Sequence, residues 1–213
     1  MAELTARELL TTTRSVRKRL DLTRPVDPDL VHAALTDALQ APSGSNAQRW
    51  HFLVITDPSL RATIGDFYRR AVHRYLGSAG SAARLHADDP ERGRVQQRVG
   101  DSVAHLGEVM GEVPVLVLPC IAVPRGLPDG NQAGVWGSLL PAAWSYMMAA
   151  RLRGLGTAWT TLHLTFEREI ASLLGLPEDV HQGALIPTAH TIGDTFRPAK
   201  REPLTTVLHT NGW

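Results

Sequence analysis

The chain contains a single cysteine, Cys120, among its 213 residues. One thiol cannot form an internal disulfide or a cysteine-based metal site, so neither can organise this fold. Cys120 lies in the apolar run 113–123, which predicts a buried core thiol. A redox nucleophile is the alternative, and that role requires a partly exposed, electropositive setting.

An excess of charge of one sign is also missing, because 22 Lys and Arg face 21 Asp and Glu. A nucleic-acid-binding protein normally carries a large basic excess. The apolar runs are short as well: Pro114 and Pro119 interrupt one, and the other covers only 139–150. A membrane span needs about 20 apolar residues, and no charged, then apolar leader opens the chain. We therefore expect a cytoplasmic protein without membrane or nucleic-acid partners.

Three familiar catalytic or binding motifs are absent. The sequence has neither the G-x-S-x-G of serine hydrolases nor the H-E-x-x-H of zinc enzymes. The turn at 154–156, Gly-Leu-Gly, lacks the third glycine of a dinucleotide fingerprint and precedes a predicted strand. The nine histidines are scattered, and only His163 adjoins a segment of interest below. We expect no metal site and no Rossmann fold.

The hydrophobic pattern predicts one domain, residues 1–213, in which helices alternate with strands. Asp27 followed by Pro28 is typical of a helix start. Helices are predicted over 5–13, 28–41, 59–75, 136–152 and, capped by Thr165, up to 174; strands over 51–55, 113–123, 157–163 and 183–192. The segment 77–100 mixes small residues with arginines, so it is either an exposed, mobile surface segment or a lid over a substrate.

Two basic clusters lie at opposite ends of the chain. The first, residues 14–19, reads Arg-Ser-Val-Arg-Lys-Arg, and the second, residues 197–201, reads Arg-Pro-Ala-Lys-Arg. Guanidinium groups beside a hydroxyl suit a phosphate dianion. Between the clusters, the loop 41–50 is rich in Ser, Gly and Asn, which lets backbone amides approach a flat polar ring. Together these features predict a nucleotide-like cofactor.

The order of these pieces resembles the FMN-dependent nitroreductases over nearly the whole chain. Their entry motif, basic-basic-Ser-x-basic, is matched by residues 13–17 with Thr13 in place of the first basic residue. Their Pro-Ser-x-x-Asn-x-Gln-Pro-Trp motif is matched by residues 42–50, and their Gly-Leu-Gly turn by 154–156. The resemblance implies an α+β fold, a mixed and mostly antiparallel sheet wrapped by helices. It also implies an intertwined homodimer, in which residues 203–213 form a strand that crosses to the partner.

The same resemblance assigns the cofactor contacts. Arg14 and Ser15 would bind the FMN phosphate, together with Lys200 or Arg201. Arg17 would face the N1–C2=O edge of the flavin. The loop of the partner subunit would contact the flavin ring through Pro42, Ser43, Gly44, Asn46 and Gln48, although Gln48 has the alternative role of only fixing the loop. A second stretch would lie beside the flavin and direct a backbone amide at N5: Trp159, Thr160, Thr161 and Leu162.

The function that the resemblance implies is reduction of nitroaromatics, quinones or similar electrophiles by NADPH or NADH, in a ping-pong hydride mechanism without a catalytic side chain. Many members carry a Glu-Gly pair where this chain has Thr161 and Leu162, so the acceptor preference of those members does not transfer. Two alternatives stay open: specialised flavin chemistry on the same fold, such as dehydrogenation or dehalogenation, and a non-catalytic FMN-binding module.

Overall fold

The structure is a computed structural model that describes residues 4–213. Six α-helices and five β-strands follow one another along this part of the chain. The helices are α1 Ala6–Thr12, α2 Pro28–Ala38, α3 Pro58–Gly77, α4 Pro90–Val109, α5 Ala133–Leu152 and α6 Glu167–Leu174. The strands are β1 Trp50–Ile55, β2 Val115–Ala122, β3 Leu155–Thr157, β4 Val180–Gln182 and β5 Ile186–His190.

The strands form one sheet in the order β1-β2-β5-β3, with β4 also paired to β2. All four strand pairs are antiparallel, and the parallel element is an isolated bridge between Ser15 and Thr157. This arrangement confirms the predicted α+β fold with a mostly antiparallel sheet. Strand β2 has partners along both edges, so its continuous apolar sequence is buried, as predicted, and Cys120 is 0% exposed.

Successive residues of β2 point into two separate apolar layers, because side chains alternate across a strand. Leu116, Leu118 and Cys120 belong to the layer formed with α3 and α4. Val115 and Val117 belong to the layer formed with α2 and α5. The sheet is therefore covered by helices on both faces.

Three helices begin in the same way, with an aspartate cap followed by proline. Asp27, Asp57 and Asp89 each accept hydrogen bonds from backbone amides of the first turn, and proline suits this position because no intrahelical partner exists for its missing N–H. The start at Asp27 was predicted. The start at Asp89 places the second half of the segment 77–100 in helix α4, where the sequence predicted an exposed, mobile segment or a lid.

The predicted strand 157–163 is wrong beyond Thr157. Residues 162–166 form a 3-10 helix that runs directly into α6. As a result, Phe166 occupies the N-cap position of α6, and no side chain caps this helix. The predicted cap at Thr165 is therefore wrong too. The β-branched and aromatic residues of this stretch have strand propensity, but of residues 158–163 only Thr160 pairs, in an isolated bridge to Leu185. Tertiary packing therefore outweighs strand propensity in the other residues.

Residues 203–213 contain one 3-10 turn, Leu204–Thr206, and every residue from 201 to 213 is exposed. The predicted strand is therefore not formed within this chain. Among residues 4–213, we find no helix with both the length and the apolar content that a membrane crossing requires.

The turn before β3 requires both of its glycines. Gly154 has a φ of +77°, in the left-handed region that side chains disfavour. Gly156 has an ordinary φ, but a Cβ atom there would lie 2.6 Å from the Thr191 side chain and 3.2 Å from those of Val16 and Leu20. The N-terminal segment and the end of β5 therefore approach β3 as closely as they do only because residue 156 has no side chain.

We expect Gly156→Ala to lower the free energy of unfolding by about 1–3 kcal/mol, the usual cost of overpacking. Gly77→Ala is the matched control, since a Cβ atom at Gly77 meets nothing within 4 Å and exposed substitutions usually cost less than about 0.5 kcal/mol. Urea unfolding followed by circular dichroism measures both. Equal midpoints for the two variants would contradict this account of the close approach.

Candidate functional site

A groove of about 760 Å³ lies between the N-terminal segment 14–19, helix α4 and the segment 195–197. Six of the side chains that line it are basic and none is acidic. The lining residues are Arg14, Ser15, Val16, Arg17, Lys18, Arg19, Val95, Arg98, Val99, Ser102, Thr195, Phe196 and Arg197. Since like charges at close range repel one another, this wall favours an anionic ligand.

Backbone hydrogen bonds fix the N-terminal segment against the ends of β3 and β5. The Val16 amide donates to the Thr157 carbonyl at 2.7 Å, and the Asp21 amide donates to the His190 carbonyl at 2.8 Å. These bonds orient Ser15 and Arg17 on the groove wall. The first basic cluster is therefore attached to the sheet and is not a freely solvated helix face.

The segment 192–197 forms the opposite wall, and two arginines hold it. Arg19 donates to the Ile192 carbonyl at 2.7 Å and to the Thr195 carbonyl at 3.0 Å. The guanidinium groups of Arg19 and Arg151 both lie over the Phe196 ring, with their central carbons 4.2 Å and 4.3 Å from the ring centroid. Burial, and then the charge of Arg19, lower the pKa of Arg151. Cation–π attraction to the shared ring offsets part of that repulsion.

Arg14 and Arg197 meet across the groove. One Arg14 nitrogen donates to the Arg197 carbonyl at 3.1 Å, which leaves its other N–H groups available to a ligand. Arg14 and Ser15 were predicted phosphate contacts, and both line the groove. Arg197 was not among the predicted contacts, although it belongs to the second basic cluster.

Arg17 is the half-buried cation of the groove. Its guanidinium donates to Ser102 Oγ at 3.5 Å, and among residues 4–213 no carboxylate lies within 4.0 Å of it. Burial lowers the pKa of Arg17, and the phenols of Tyr68 and Tyr75 oppose that change. A desolvated cation without a counter-charge is costly, so an anionic group beside Arg17 would stabilise the folded protein.

Helix α4 supplies a further wall of the groove, where the sequence predicted an exposed, mobile segment or a lid over residues 77–100. Val95, Arg98, Val99 and Ser102 recur at helical spacing and face the groove. The signal for this helix was present in Asp89 followed by a proline, the same pair that predicted α2. Apolar side chains beside Arg98 suit a ligand that has both a flat apolar part and a negative charge.

Lys200 and Arg201 lie outside the groove. Lys200 is 79% exposed and forms an ion pair with Glu91 in the first turn of α4, while Arg92 pairs with Glu202 at 3.0 Å. Arg201 is exposed, and its side chain reaches only the Lys200 carbonyl, at 3.5 Å. The structure therefore does not place Lys200 or Arg201 with the other predicted phosphate contacts. The two ion pairs hold residues 200–202 against α4, and Arg197 is the cation of the second cluster that lines the groove.

The predicted ring-contacting loop lies at the far end of α5. Residues 44–46 form a 3-10 turn, and the Gly44 amide donates to Ser138 Oγ at 2.9 Å. The last turns of α5 lie instead beside the basic cluster, since Arg151 donates to Thr12 Oγ1 and shares the Phe196 ring with Arg19. Thirteen residues of helix separate Ser138 from Arg151, about 20 Å. One chain therefore does not bring the loop and the groove together.

Within this loop, Ser43 and Gln48 form internal bonds. The Gln48 backbone amide donates to Ser43 Oγ at 3.1 Å, and its side chain donates to Asn46 Oδ1 at 3.0 Å. Asn46 and Gln48 also have positive φ. Gln48 therefore forms bonds that fix the loop, as one of its two predicted roles requires, and Pro42, Ser43, Gly44, Asn46 and Gln48 stay predicted ring contacts.

The stretch 159–162 lies beside the groove and leaves one amide unpaired. The Trp159 amide donates to Ser15 Oγ at 3.4 Å, the Thr160 amide to the Leu185 carbonyl at 3.2 Å, and the Leu162 amide to Thr160 Oγ1 at 3.4 Å. The Thr161 amide makes no hydrogen bond within residues 4–213, and Thr161 is exposed. Of the four predicted contacts here, Thr161 offers a backbone donor to a ligand.

A model of the nitroreductase family matches residues 10–190. The chain belongs to the nitroreductase family. This match covers the entry motif, the loop, the turn at 154–156 and α4, so the predicted resemblance is confirmed.

Solved structures show the same fold at low identity. Iodotyrosine deiodinase bound to FMN and 3-iodo-L-tyrosine has a TM-score of 0.70 and 20% identity, covering 98% of this chain and 100% of its own. A BluB-like flavoprotein from Clostridium difficile 630 has the same values. A nitroreductase-like protein from Desulfovibrio desulfuricans in complex with FMN has a TM-score of 0.63 and 19% identity, covering 100% of this chain and 99% of its own.

Two further groups that the sequence singled out are buried in this nitroreductase fold. Burial raises the pKa of Cys120 to about 12, which confirms a core thiol and not a nucleophile. His163 is 0% exposed, and neither ring nitrogen has a hydrogen-bond partner within residues 4–213. Burial lowers the pKa of His163 to about 3, so the imidazole is neutral in the folded protein at neutral pH.

We expect His163 to make the fold sensitive to acid. Its folded pKa lies below the unfolded value of 6.5, so the unfolded chain binds an extra proton between about pH 6 and pH 3. Stability attributable to this residue is therefore complete above pH 6.5 and falls as the pH falls, by about 1.4 kcal/mol per pH unit at most. Urea unfolding of wild type and His163→Leu at pH 7, 6, 5 and 4 measures the difference in slope. Parallel curves would refute this titration.

Proposed function

We propose that this nitroreductase-family chain is an FMN-dependent oxidoreductase that uses NADPH or NADH to reduce nitroaromatics, quinones or similar electrophiles. The observation that carries the proposal is the groove with six basic side chains and no acidic one, beside the hydroxyls of Ser15 and Ser102. The family match and the two FMN-bound neighbours support the choice of ligand.

The donors of the groove fit a phosphate monoester. Arg14, Ser15 and Arg197 supply guanidinium and hydroxyl N–H and O–H groups from both walls, and charge-assisted hydrogen bonds to a dianion are about twice as strong as neutral ones. We assign the phosphate to these three residues. When bound, the flavin ring would supply the two-electron chemistry, and the protein would hold and tune it.

Arg17 has a different role in this proposal. Two-electron reduction of a flavin places negative charge on the N1–C2=O edge of the ring. A half-buried guanidinium without a carboxylate partner would stabilise that charge without reorganising, which is electrostatic preorganisation. Because the charge develops only on reduction, Arg17 stabilises the reduced state more than the oxidised one.

The distance between the loop 42–48 and the groove supports a homodimer. If Pro42, Ser43, Gly44 and Asn46 contact the flavin ring, they do so in the groove of a second copy, because α5 separates the two regions of one chain by about 20 Å. The exposed tail 203–213, which carries Leu204, Val207, Leu208 and Trp213 on its surface, would cover the partner. We place the enzyme in the cytoplasm, with the nicotinamide nucleotides that it uses.

One experiment tests the reaction class. Purified protein reconstituted with FMN is mixed anaerobically with NADPH or NADH, and the flavin absorbance is followed. We expect bleaching within seconds, and recovery of the absorbance when a nitroaromatic compound or a quinone is added. A flavin that binds but is not bleached by either nucleotide would indicate a non-catalytic FMN-binding module instead.

The cofactor assignment predicts a yellow protein that releases FMN, and not FAD, on denaturation. Arg14→Ala and Arg197→Ala should each weaken FMN binding about tenfold to a hundredfold, because loss of a charged hydrogen-bonding partner costs roughly 1.5–3 kcal/mol. Arg201→Ala is the control, since its side chain lies outside the groove. Fluorescence titration measures all three. If only Arg201→Ala weakened binding, the phosphate assignment would be wrong.

Arg17→Ala should lower the flavin midpoint potential by about 30–60 mV, because a tenfold to hundredfold loss of affinity confined to the reduced state corresponds to that shift in a two-electron couple. Arg14→Ala should weaken both redox states equally and leave the potential nearly unchanged. Redox titration of the two variants decides between the roles. A shift in Arg14→Ala without one in Arg17→Ala would reverse our assignment.

A further inference from the structure

Tyr68, in the middle of α3, forms a buried hydrogen bond with the stretch beside the groove. The residue is 1% exposed, and its hydroxyl lies 3.0 Å from Thr160 Oγ1. The phosphate contacts do not require this bond, and the charge of Arg17 acts on the Tyr68 phenol without a hydrogen bond between them. Burying two hydroxyls is unfavourable unless they pair, so the pair fixes the position of Thr160 relative to α3.

Thr160 is held on its backbone side as well. Its amide donates to the Leu185 carbonyl at 3.2 Å, and its carbonyl accepts from the Leu185 amide at 2.8 Å. Its hydroxyl oxygen accepts from the Leu162 amide at 3.4 Å. Thr160 is therefore tied to Leu185, the residue before β5, and to Tyr68, and Leu162 is tied to Thr160.

Thr161 itself lies between these fixed points with a free amide. Its N–H makes no hydrogen bond within residues 4–213, whereas the amides of Trp159, Thr160 and Leu162 are all occupied. If the stretch donates a backbone N–H to a bound ring, Thr161 is the residue that can do so without breaking an existing bond.

We propose that Tyr68 is a positioning residue that holds the Thr161 amide, through the Thr160 hydroxyl, toward N5 of the bound flavin. This inference rests on the proposed flavin site and adds a residue from α3 to it. Without the Tyr68 hydroxyl, Thr160 Oγ1 would lose its buried partner and rotate to find another, and the Leu162 amide would lose its acceptor. On its C-terminal side, Thr161 would then be held only by the hydrogen bond that its carbonyl accepts from the Leu164 amide at 3.1 Å.

The protein contains a matched control. Tyr146 in α5 pairs with Thr188 Oγ1, also at 3.0 Å, and both residues are 0% exposed. Tyr146 belongs to the layer formed with α2 and α5, whereas Tyr68 belongs to the layer formed with α3 and α4. Tyr146→Phe therefore removes the same chemical group from an equally buried bond, and it reports the general cost of such a loss.

The first measurement uses the ligand-free protein. Amide hydrogen exchange in Tyr68→Phe and Thr160→Val should accelerate about tenfold at Leu162, as expected when one hydrogen bond is lost. Tyr146→Phe should leave that amide unchanged, and Thr160→Ser, which retains the hydroxyl, should restore wild-type exchange.

The second measurement is the redox potential of the bound flavin. N5 offers a lone pair to the amide in the oxidised ring, whereas it carries its own proton after two-electron reduction. Tyr68→Phe and Thr160→Val should therefore weaken binding of oxidised FMN about fivefold more than that of reduced FMN, which raises the potential by about 20 mV. This shift is opposite in sign to that expected for Arg17→Ala. The double variant should resemble Thr160→Val, because that substitution already removes the hydroxyl to which both Tyr68 and the Leu162 amide bond.

Each outcome supports or overturns the proposal. Faster exchange at Leu162 together with a raised potential supports it. If wild type binds FMN but Tyr68→Phe matches Tyr146→Phe in both measurements, or changes exchange without changing the potential, the positioning role is wrong and the flavin site stands. If wild type binds no FMN, the proposed function and this inference both fail.

Discussion

The site depends on a short run of backbone pairing between the N-terminal segment and the ends of β3 and β5. The bonds from Val16 to Thr157, from Asp21 to His190 and from Ile192 to the Arg19 carbonyl join residues more than 140 positions apart in sequence. Ordering such distant segments is entropically expensive, and packing of the sheet between two helical layers provides the free energy. The groove is thus a product of the whole fold and not of either basic cluster.

The groove also shows why net charge is a poor guide to binding. The chain as a whole carries a formal charge of +1, yet no acidic side chain lines the groove. Acidic side chains lie elsewhere, such as Asp66 on α3, Glu91 in the first turn of α4 and Glu108 near its end. Concentrating cations on one wall raises the energy of the ligand-free protein. Binding of an anion then relieves repulsion as well as forming contacts, so ligand affinity and folding stability are coupled.

Sequence patterns predicted most of the framework and part of the site. Continuous or periodic apolar residues were enough for β2, α2, α3 and α5, because burial dictates those patterns. Arg14, Ser15 and Arg17 were found because a motif fixes their spacing. Arg98, Arg197 and Tyr68 were missed, since their roles depend on contacts between segments that are distant in sequence, and no local pattern encodes those contacts. The prediction of a strand beyond Thr157 was wrong for a related reason, because tertiary packing overrode the strand propensity of those residues.

The single thiol in β2 can serve as a built-in probe of unfolding. Cys120 is fully enclosed by the layer below the sheet, and its raised pKa keeps it protonated, so a thiol reagent reacts only with molecules whose central strand has opened. Because the chain has one cysteine, each modified molecule has opened at least once at this strand. The labelling rate under native conditions therefore reads out the free energy of the deepest opening of the sheet, with no engineered probe.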